Sequence, residues 1–389
     1  MQTAFDHRAW RYALRLAFIL ACAATIPRCI SGYPASALYN DDERAQVALA
    51  TEVQAFVESG VAASAFHTGS PRFDGEWAFG TFAMAAIGLG HVALHHPAQM
   101  AAYVPTLEKC ADELTSAETN SFGAEAWGRS GFEGLPGGTG HAYLGYSNLA
   151  LSMLRLLKPD TRFARLHDDL TEAFAIRLSA APHALFETYP GEAYAADVAM
   201  VAASIALHDC ATGSPTRSFW PAWQKSFSHW IDPSSGLLHQ SGDAATGRPL
   251  GPPRASGTAL AAFALSFVDK QLSQKLFGAL QGNSENFIGF GAVREYPARF
   301  DGGGDIDSGP VVLGVSVSAT GFSLASAKLH GDSLFFTQLY RTADFWGVPI
   351  HRTRGMRYMS GGPLGNAILL AMTTATWKWE NHCKKAGGS

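Results

Sequence analysis

Short clusters of carboxylates, aromatics and histidines recur along this sequence, each at the opening of a long apolar stretch. The first holds Asp74, Glu76 and Trp77, the second His141, Tyr143 and Tyr146, and the third Tyr189, Glu192, Tyr194 and Asp197. The fourth holds His239, Arg254 and Ser256, the fifth Arg294, Glu295, Tyr296, Asp305, Asp307 and Ser308, and the sixth Arg357 and Tyr358. Side chains of these types facing one cavity suit general acid/base work on a small neutral molecule or a sugar. Asp197 stands out because it falls inside an apolar helical run, where an unpaired carboxylate is costly; it is expected to face the cavity. In that reading His141 and Asp197 trade protons and Glu192 supports one of them. Trp77, Tyr143 and Tyr194 wall the pocket, and Glu76, His239, Glu295 and Asp307 contact the substrate. The same residue types also serve structure. Asp74, Glu192, Asp307 and Ser308 suit helix caps or first turns, His141 a core histidine, and the three aromatics a packed core.

Neither a metal nor an organic cofactor is expected. The run from Asp301 through three glycines to Asp305 and Asp307 lacks the ligand spacing of a calcium loop. The glycine-rich loop Gly134 to Gly140 is not followed by the Lys-Ser/Thr of a phosphate cradle.

The elements that must position these residues repeat. Entry glycines recur at Gly75, Gly140, Gly191, Gly257, Gly309 and Gly362, and a recurring interval of this kind marks one supersecondary unit used six times. Ahead of each apolar stretch lies an amphipathic one, with apolar residues at three-to-four spacing: 41–59, 105–114, 161–180, 219–231, 270–281 and 333–346. The stretches 77–94, 141–157, 192–207, 258–268, 310–327 and 363–376 are apolar nearly all round, as helices buried on every side are. They are short and broken by Gly, Ser, Thr and Asn, which fits core helices better than membrane spans. Six outer and six inner helices predict an all-α protein, an (α/α)6 toroid formed as one domain over residues 38–380, with a tail at 381–389. Each hairpin needs its neighbours to cover it. A toroid gathers the openings of its inner helices at one mouth, where free N–H groups and helix dipoles favour polar groups. The chain is 47% hydrophobic and 16% charged with a net charge of -4, a balance that gives no footprint for nucleic acid.

Residues 1–37 read as a signal peptide or an N-terminal anchor. Arg8, Arg11 and Arg15 precede the apolar run Leu16 to Ile26, and Ala35-Ser36-Ala37 offers a small-residue cleavage site. The expected location is periplasmic or exported; the alternative is an inner-membrane anchor formed by residues 16–26, the one case in which a membrane is a partner. Cleavage would leave Cys110, Cys210 and Cys383, enough for one disulfide and without zinc spacing.

From Gly140 to Asp332 the chain resembles the bacterial linalool dehydratase/isomerase family. The resemblance is carried by Gly140-His141 opening a Leu/Tyr-rich helix, the turn Tyr189-Pro190-Gly191-Glu192-Ala193-Tyr194 and the segment Trp230 to Gly236. It continues through Val293-Arg294-Glu295 and a late helix ending Leu329-His330-Gly331-Asp332. It implies a periplasmic (α/α)6 enzyme that removes water from, or adds it to, a terpenoid alcohol without a cofactor. The family forms rings, which leaves a homo-oligomer open. His141 falls on a family active-site position, His239 lies near a family tyrosine position, and Thr188 and Asp197 stand where the family has its two cysteines. A carboxylate in place of a thiol keeps an acid/base group there with a different pKa and hydration. Two activities follow as expectations: a hydro-lyase/isomerase acting on a small terpenoid-like alcohol, or a glycoside hydrolase using two carboxylates in the toroid mouth.

Overall fold

The computed structural model describes residues 7–384 except Thr139, Asp307 and Arg354. Helices carry nearly all of the regular structure, and the protein is all-α. In chain order they are α1 (His7–Ile30), α2 (Ala35–Tyr39), α3 (Glu43–Ser59), α4 (Pro71–His95), α5 (Met100–Thr115), α6 (Ser121–Trp127), α7 (Gly131–Gly134) and α8 (Leu144–Leu157). There follow α9 (Ala164–Ala180), α10 (Ala195–Thr212), α11 (Trp220–Phe227), α12 (Ala255–Leu265), α13 (Lys270–Gly282), α14 (Val317–Leu329), α15 (Ser333–Gly347) and α16 (Gly362–Thr373). Four two-stranded antiparallel pairs sit in the connections: β1 (Ala193–Tyr194) with β2 (Ser241–Gly242), β3 (Ser284–Phe287) with β4 (Phe290–Val293), β5 (Val311–Val312) with β6 (Val315–Ser316), and β7 (Pro349–His351) with β8 (Met356–Tyr358).

The two helix classes expected from the sequence are both present. In α4, α8, α10, α12, α14 and α16 Ala, Leu, Phe and Gly are buried with little regard to helix face. Among these six, each packs on the next, and α16 packs back on α4. His91 Nδ1 and His95 Nε2 of α4 donate to the carbonyls of Ala371 (3.2 Å) and Thr374 (3.1 Å), which ties the first of the six to the last. The amphipathic helices bury one stripe each, Leu49, Val53 and Val57 in α3 and Leu272, Leu276 and Leu280 in α13. Their starts are fixed by caps: Asp42 accepts from Ala45 N–H, Asp269 from Leu272 N–H and Asp332 from Phe335 N–H. Both α4 and α10 are long and apolar enough to cross a membrane, but 89% and 72% of their apolar windows are buried inside the protein.

Close approach between the buried helices depends on glycine. A Cβ on Gly145 of α8 would stand 2.7 Å from Val201 Cγ2 and 2.8 Å from the Val201 backbone nitrogen in α10. Backbone cannot move aside as a side chain does. Gly145→Ala is therefore expected to lower unfolding free energy by about 1–3 kcal/mol, read as a shifted denaturant midpoint; an unchanged midpoint would contradict this packing.

The tail expected at 381–389 begins instead as a tied segment. A short 3-10 turn, Lys378–His382, precedes Cys383, which is bonded to Cys210 at the end of α10 across 173 residues of sequence. Closing so long a loop removes much entropy from the unfolded chain, and loss of such a bond typically costs about 2–5 kcal/mol. The Cys210→Ser/Cys383→Ser variant should melt several degrees lower, and wild type under reductant should match it. Equal melting with and without reductant would show that the bond does not stabilise the fold.

Candidate active site

The turn Tyr189-Pro190-Gly191-Glu192 builds the centre of the site. Pro–Gly order suits a type II turn, Gly191 supplies the positive φ of 77° that such a turn requires, and Glu192 N–H donates to the Tyr189 carbonyl at 2.8 Å. It sets Tyr189 and Glu192 at one end of α10. Strand β1 then leads into the helix, whose first turn carries Asp197.

Beside this turn opens a cavity of about 1170 Å³ lined by Glu76, Trp77, Tyr143, Tyr146, Tyr189, Glu192, Tyr194, Asp197 and His239. Most of the remaining wall is apolar, with Phe79, Phe122, Leu260, Leu364 and Ile368 prominent. Within this wall each of three carboxylates accepts from a tyrosine phenol: Glu76 Oε2 from Tyr189 (3.0 Å), Glu192 Oε2 from Tyr194 (2.8 Å) and Asp197 Oδ1 from Tyr146 (2.9 Å). Thr188 Oγ1 donates to the second oxygen of Asp197 at 2.7 Å. Burial raises the Asp197 pKa above its ordinary 3.8, although Thr188 and Tyr146 donate to the ionised form and oppose the rise. Burial raises the Tyr189 pKa well above its ordinary 10, and the Glu76 carboxylate that accepts its hydrogen bond adds to the rise, so the phenol is neutral. The Arg72 guanidinium lies 3.9 Å from the centre of that ring and 3.6 Å from Glu192 Oε1.

His239 also faces the cavity. Its Nδ1 donates to the Gly251 carbonyl at 3.0 Å, which makes Nε2 the lone-pair nitrogen of the neutral ring.

Two expected site residues are placed elsewhere. His141 is fully buried and is not part of the cavity wall. Its backbone is left-handed (φ 65°), and its ring packs on Trp127 at 4.7 Å and beneath Gly134, where a Cβ would meet Nε2 at 2.2 Å. Burial, helped by the nearby Arg129 and Arg177 charges, lowers its pKa to about 4, so the ring is neutral. This corrects the expected exchange of protons between His141 and Asp197. Glu295 is likewise fully buried behind the wall, where Oε1 accepts from Arg254 Nε and Ser256 Oγ, both at 2.6 Å. Its role is to neutralise Arg254 rather than to meet substrate. Asp307 lies outside the described residues.

Tyr146, Tyr189, Thr188 and Asp305 complete the arrangement. Arg254 also grips Asp305, a cavity residue, through both terminal nitrogens. Burial would raise the Asp305 pKa, but the Arg254 hydrogen bonds and charge outweigh it and hold the carboxyl at about 2.

Among the described residues one group has metal-ligating types in reach of one another: His167, Asp168 and His208, with ligand atoms within 4.8 Å. It sits eleven residues along α10 from Asp197, about 16 Å at helical rise. Its members are engaged already, Asp168 with Arg155 and His208, His208 with Asp209, and His167 with Ser152.

Compared with known protein families the chain matches none, and no curated protein matches it. The fold and cavity define the protein as an all-α protein with a carboxylate–tyrosine pocket.

Proposed function

We propose that the chain is an (α/α)6 toroid of the linalool dehydratase/isomerase type, a hydro-lyase or isomerase that acts on a small hydrophobic alcohol through its own acid/base groups. The observation that carries this reading is Asp197, a carboxyl with a raised pKa that shares the cavity with a second carboxylate, Glu76, and with a largely apolar remaining wall. A group of this kind retains a proton at higher pH than an ordinary aspartate and can give it to a hydroxyl. The C–O bond then breaks and water leaves. Glu76, in the same cavity, takes the proton from the neighbouring carbon, and the C–H electron pair becomes the double bond; the reverse sequence hydrates an alkene.

Several features support the toroid and the resemblance. The six apolar helices contact one another in sequence and return to the first. The two residues at the family's cysteine positions, Thr188 and Asp197, share a hydrogen bond of 2.7 Å. The sugar-cleaving alternative is favoured by Glu76, Glu192 and Asp197 sharing one cavity with Trp77 and Tyr194, and opposed by the aliphatic wall at Leu260, Leu364 and Ile368. Incubating the purified chain with separate panels of terpenoid alcohols and oligosaccharides, followed by mass spectrometry, separates the two. Loss of water from an alcohol is the expected result; glycosidic cleavage alone would overturn it.

We further propose that α1 is kept as an anchor, with the body on the outer side of the inner membrane. The basic residues Arg8, Arg11 and Arg15 precede the apolar run 16–26, as on a cytoplasmic flank. The apolar helical segment Trp10–Tyr39 has the length and composition to cross, and its apolar window is wholly unburied. The expected cleavage site lies in α2, where Ala35 and Leu38 are buried in the core and Tyr39 packs on Phe336.

A further inference from the structure

The cavity has an apolar rim that the reaction does not use. Strands β3 and β4 are joined by Ile288-Gly289, and β5 and β6 by Leu313-Gly314. Both residues of each turn have positive φ: 52° and 86° in the first, 52° and 84° in the second. Two-residue turns of this kind favour Asn, Asp or Gly at the first position. This chain puts Ile and Leu there, both exposed, Leu313 at 92%. Phe287, Val312 and Trp346 beside them are exposed as well, and these three with Leu313 line the mouth of the cavity. The two hairpins and α15 are joined, since Arg294 next to β4 bridges to Val315 of β6 and pairs with Glu285 of β3 at 2.7 Å, and Phe345 of α15 packs on Phe290 of β4 at 5.6 Å.

The foot of α1 reaches the same rim. Gly32 N–H, just after α1, donates to Asp344 of α15 at 2.8 Å. The Arg28 side chain at the end of α1 lies against Gly289 in the β3–β4 turn, about 3.0 Å from where a Cβ would be. Arg341 of α15 donates to the Gly289 carbonyl and packs under Gly32. The exposed apolar helix and the exposed apolar turns are thus fastened to one another at a single point of the body.

We propose that this rim is a membrane-docking surface: the Ile288 and Leu313 turns, with Phe287 and Trp346, rest in the interfacial layer of the bilayer in which α1 is inserted, and the cavity opens toward lipid. Exposed apolar clusters at the mouth of a pocket mark interaction sites. The occupant is a lipid surface because an apolar helix of spanning length leaves the body beside the patch and holds it against the bilayer. Arg28 and Arg341 fall at the junction, where guanidinium groups meet lipid phosphates. An apolar molecule partitioned in the bilayer then reaches the cavity without crossing water. This inference rests on α1 being retained as an anchor.

Nitroxide labels on the full chain in phosphatidylethanolamine/phosphatidylglycerol liposomes test it. In a Cys22→Ser/Cys29→Ser background, with Cys110 buried, labels are placed one at a time through Leu313→Cys, Ile19→Cys in α1 and Ile176→Cys on exposed α9. Collision with oxygen and with a water-soluble nickel chelate is measured for each. The expected result is oxygen access with chelate shielding at 19 and 313, and full chelate access at 176. Shielding at 19 with chelate access at 313 equal to that at 176 would overturn the docking surface while leaving the anchor intact. Chelate access at 19 would overturn the anchor and the docking surface together. Spin–spin broadening at 313 that disappears on dilution with unlabelled chain would show that the rim meets a second copy, which also overturns the proposal.

Discussion

Replacing Asp197 by asparagine should lower kcat by about 10²–10⁴-fold, the range by which a positioned general acid accelerates proton transfer, without lowering stability near neutral pH. The two parts have one origin. Burial raises the Asp197 pKa, so over the window from 3.8 up to its folded value the native state holds more proton than the unfolded chain. Stability contributed by this group is therefore present below 3.8 and lost as pH rises through the folded value. Asparagine removes that loss, and the unfolding midpoint at neutral pH should stay level or rise. Turnover that depends on protonated Asp197 falls as pH rises through the same pKa, which makes it the alkaline limb of the rate profile. Thr188→Val removes a donor to the ionised form, at 2.7 Å in wild type, and should move that limb to higher pH. Unchanged turnover in Asp197→Asn, with a lowered midpoint, would identify Asp197 as a structural residue only.

Arg254→Ala should destabilise the fold by about 3–5 kcal/mol, because it strands Glu295 as a buried charge. The Arg254 side chain is 5% exposed and Glu295 is fully buried, so neither water nor another cation takes over. The double change Arg254→Met/Glu295→Met removes both charges and should recover most of the loss, as apolar replacements of buried ion pairs do. Failure of the double variant to recover would mean that packing around Arg254 matters more than charge. The acid limb of stability should move too. Asp305 has a pKa depressed to about 2, so its contribution is present above 3.8 and lost as pH falls toward about 2. Without Arg254 the carboxyl moves back toward its ordinary value, and acid unfolding of the single variant should begin at higher pH.

The helices were legible because each carries a periodic signal. The expected 270–281 and 333–346 segments correspond to α13 and α15 within one residue at each end, where Asp269 and Asp332 mark the starts by capping. The fifth apolar stretch is expected from 310 but α14 begins at Val317, because the β5–β6 pair occupies the residues between Gly309 and α14. Two-residue strands leave no alternation to detect, and Leu313 in a left-handed position contradicts turn chemistry. Asp197 was legible as a polar residue at an apolar position. His141 lies away from the cavity for a reason that composition does not reveal: a positive φ just before α8 directs its ring under α7. Two of the three phenol–carboxylate pairs, Glu76 with Tyr189 and Asp197 with Tyr146, join residues far apart in the chain, which no local pattern records.

Oxygen exchange is the most direct measurement of whether the Asp197 pocket dehydrates an alcohol. The purified chain, incubated in H₂¹⁸O with each of a panel of hydrophobic tertiary and allylic alcohols, should place ¹⁸O in the hydroxyl of at least one of them through reversible loss and return of water. The exchange should vanish in Asp197→Asn. Absence of exchange with every alcohol, or exchange that persists in Asp197→Asn, would contradict the assignment.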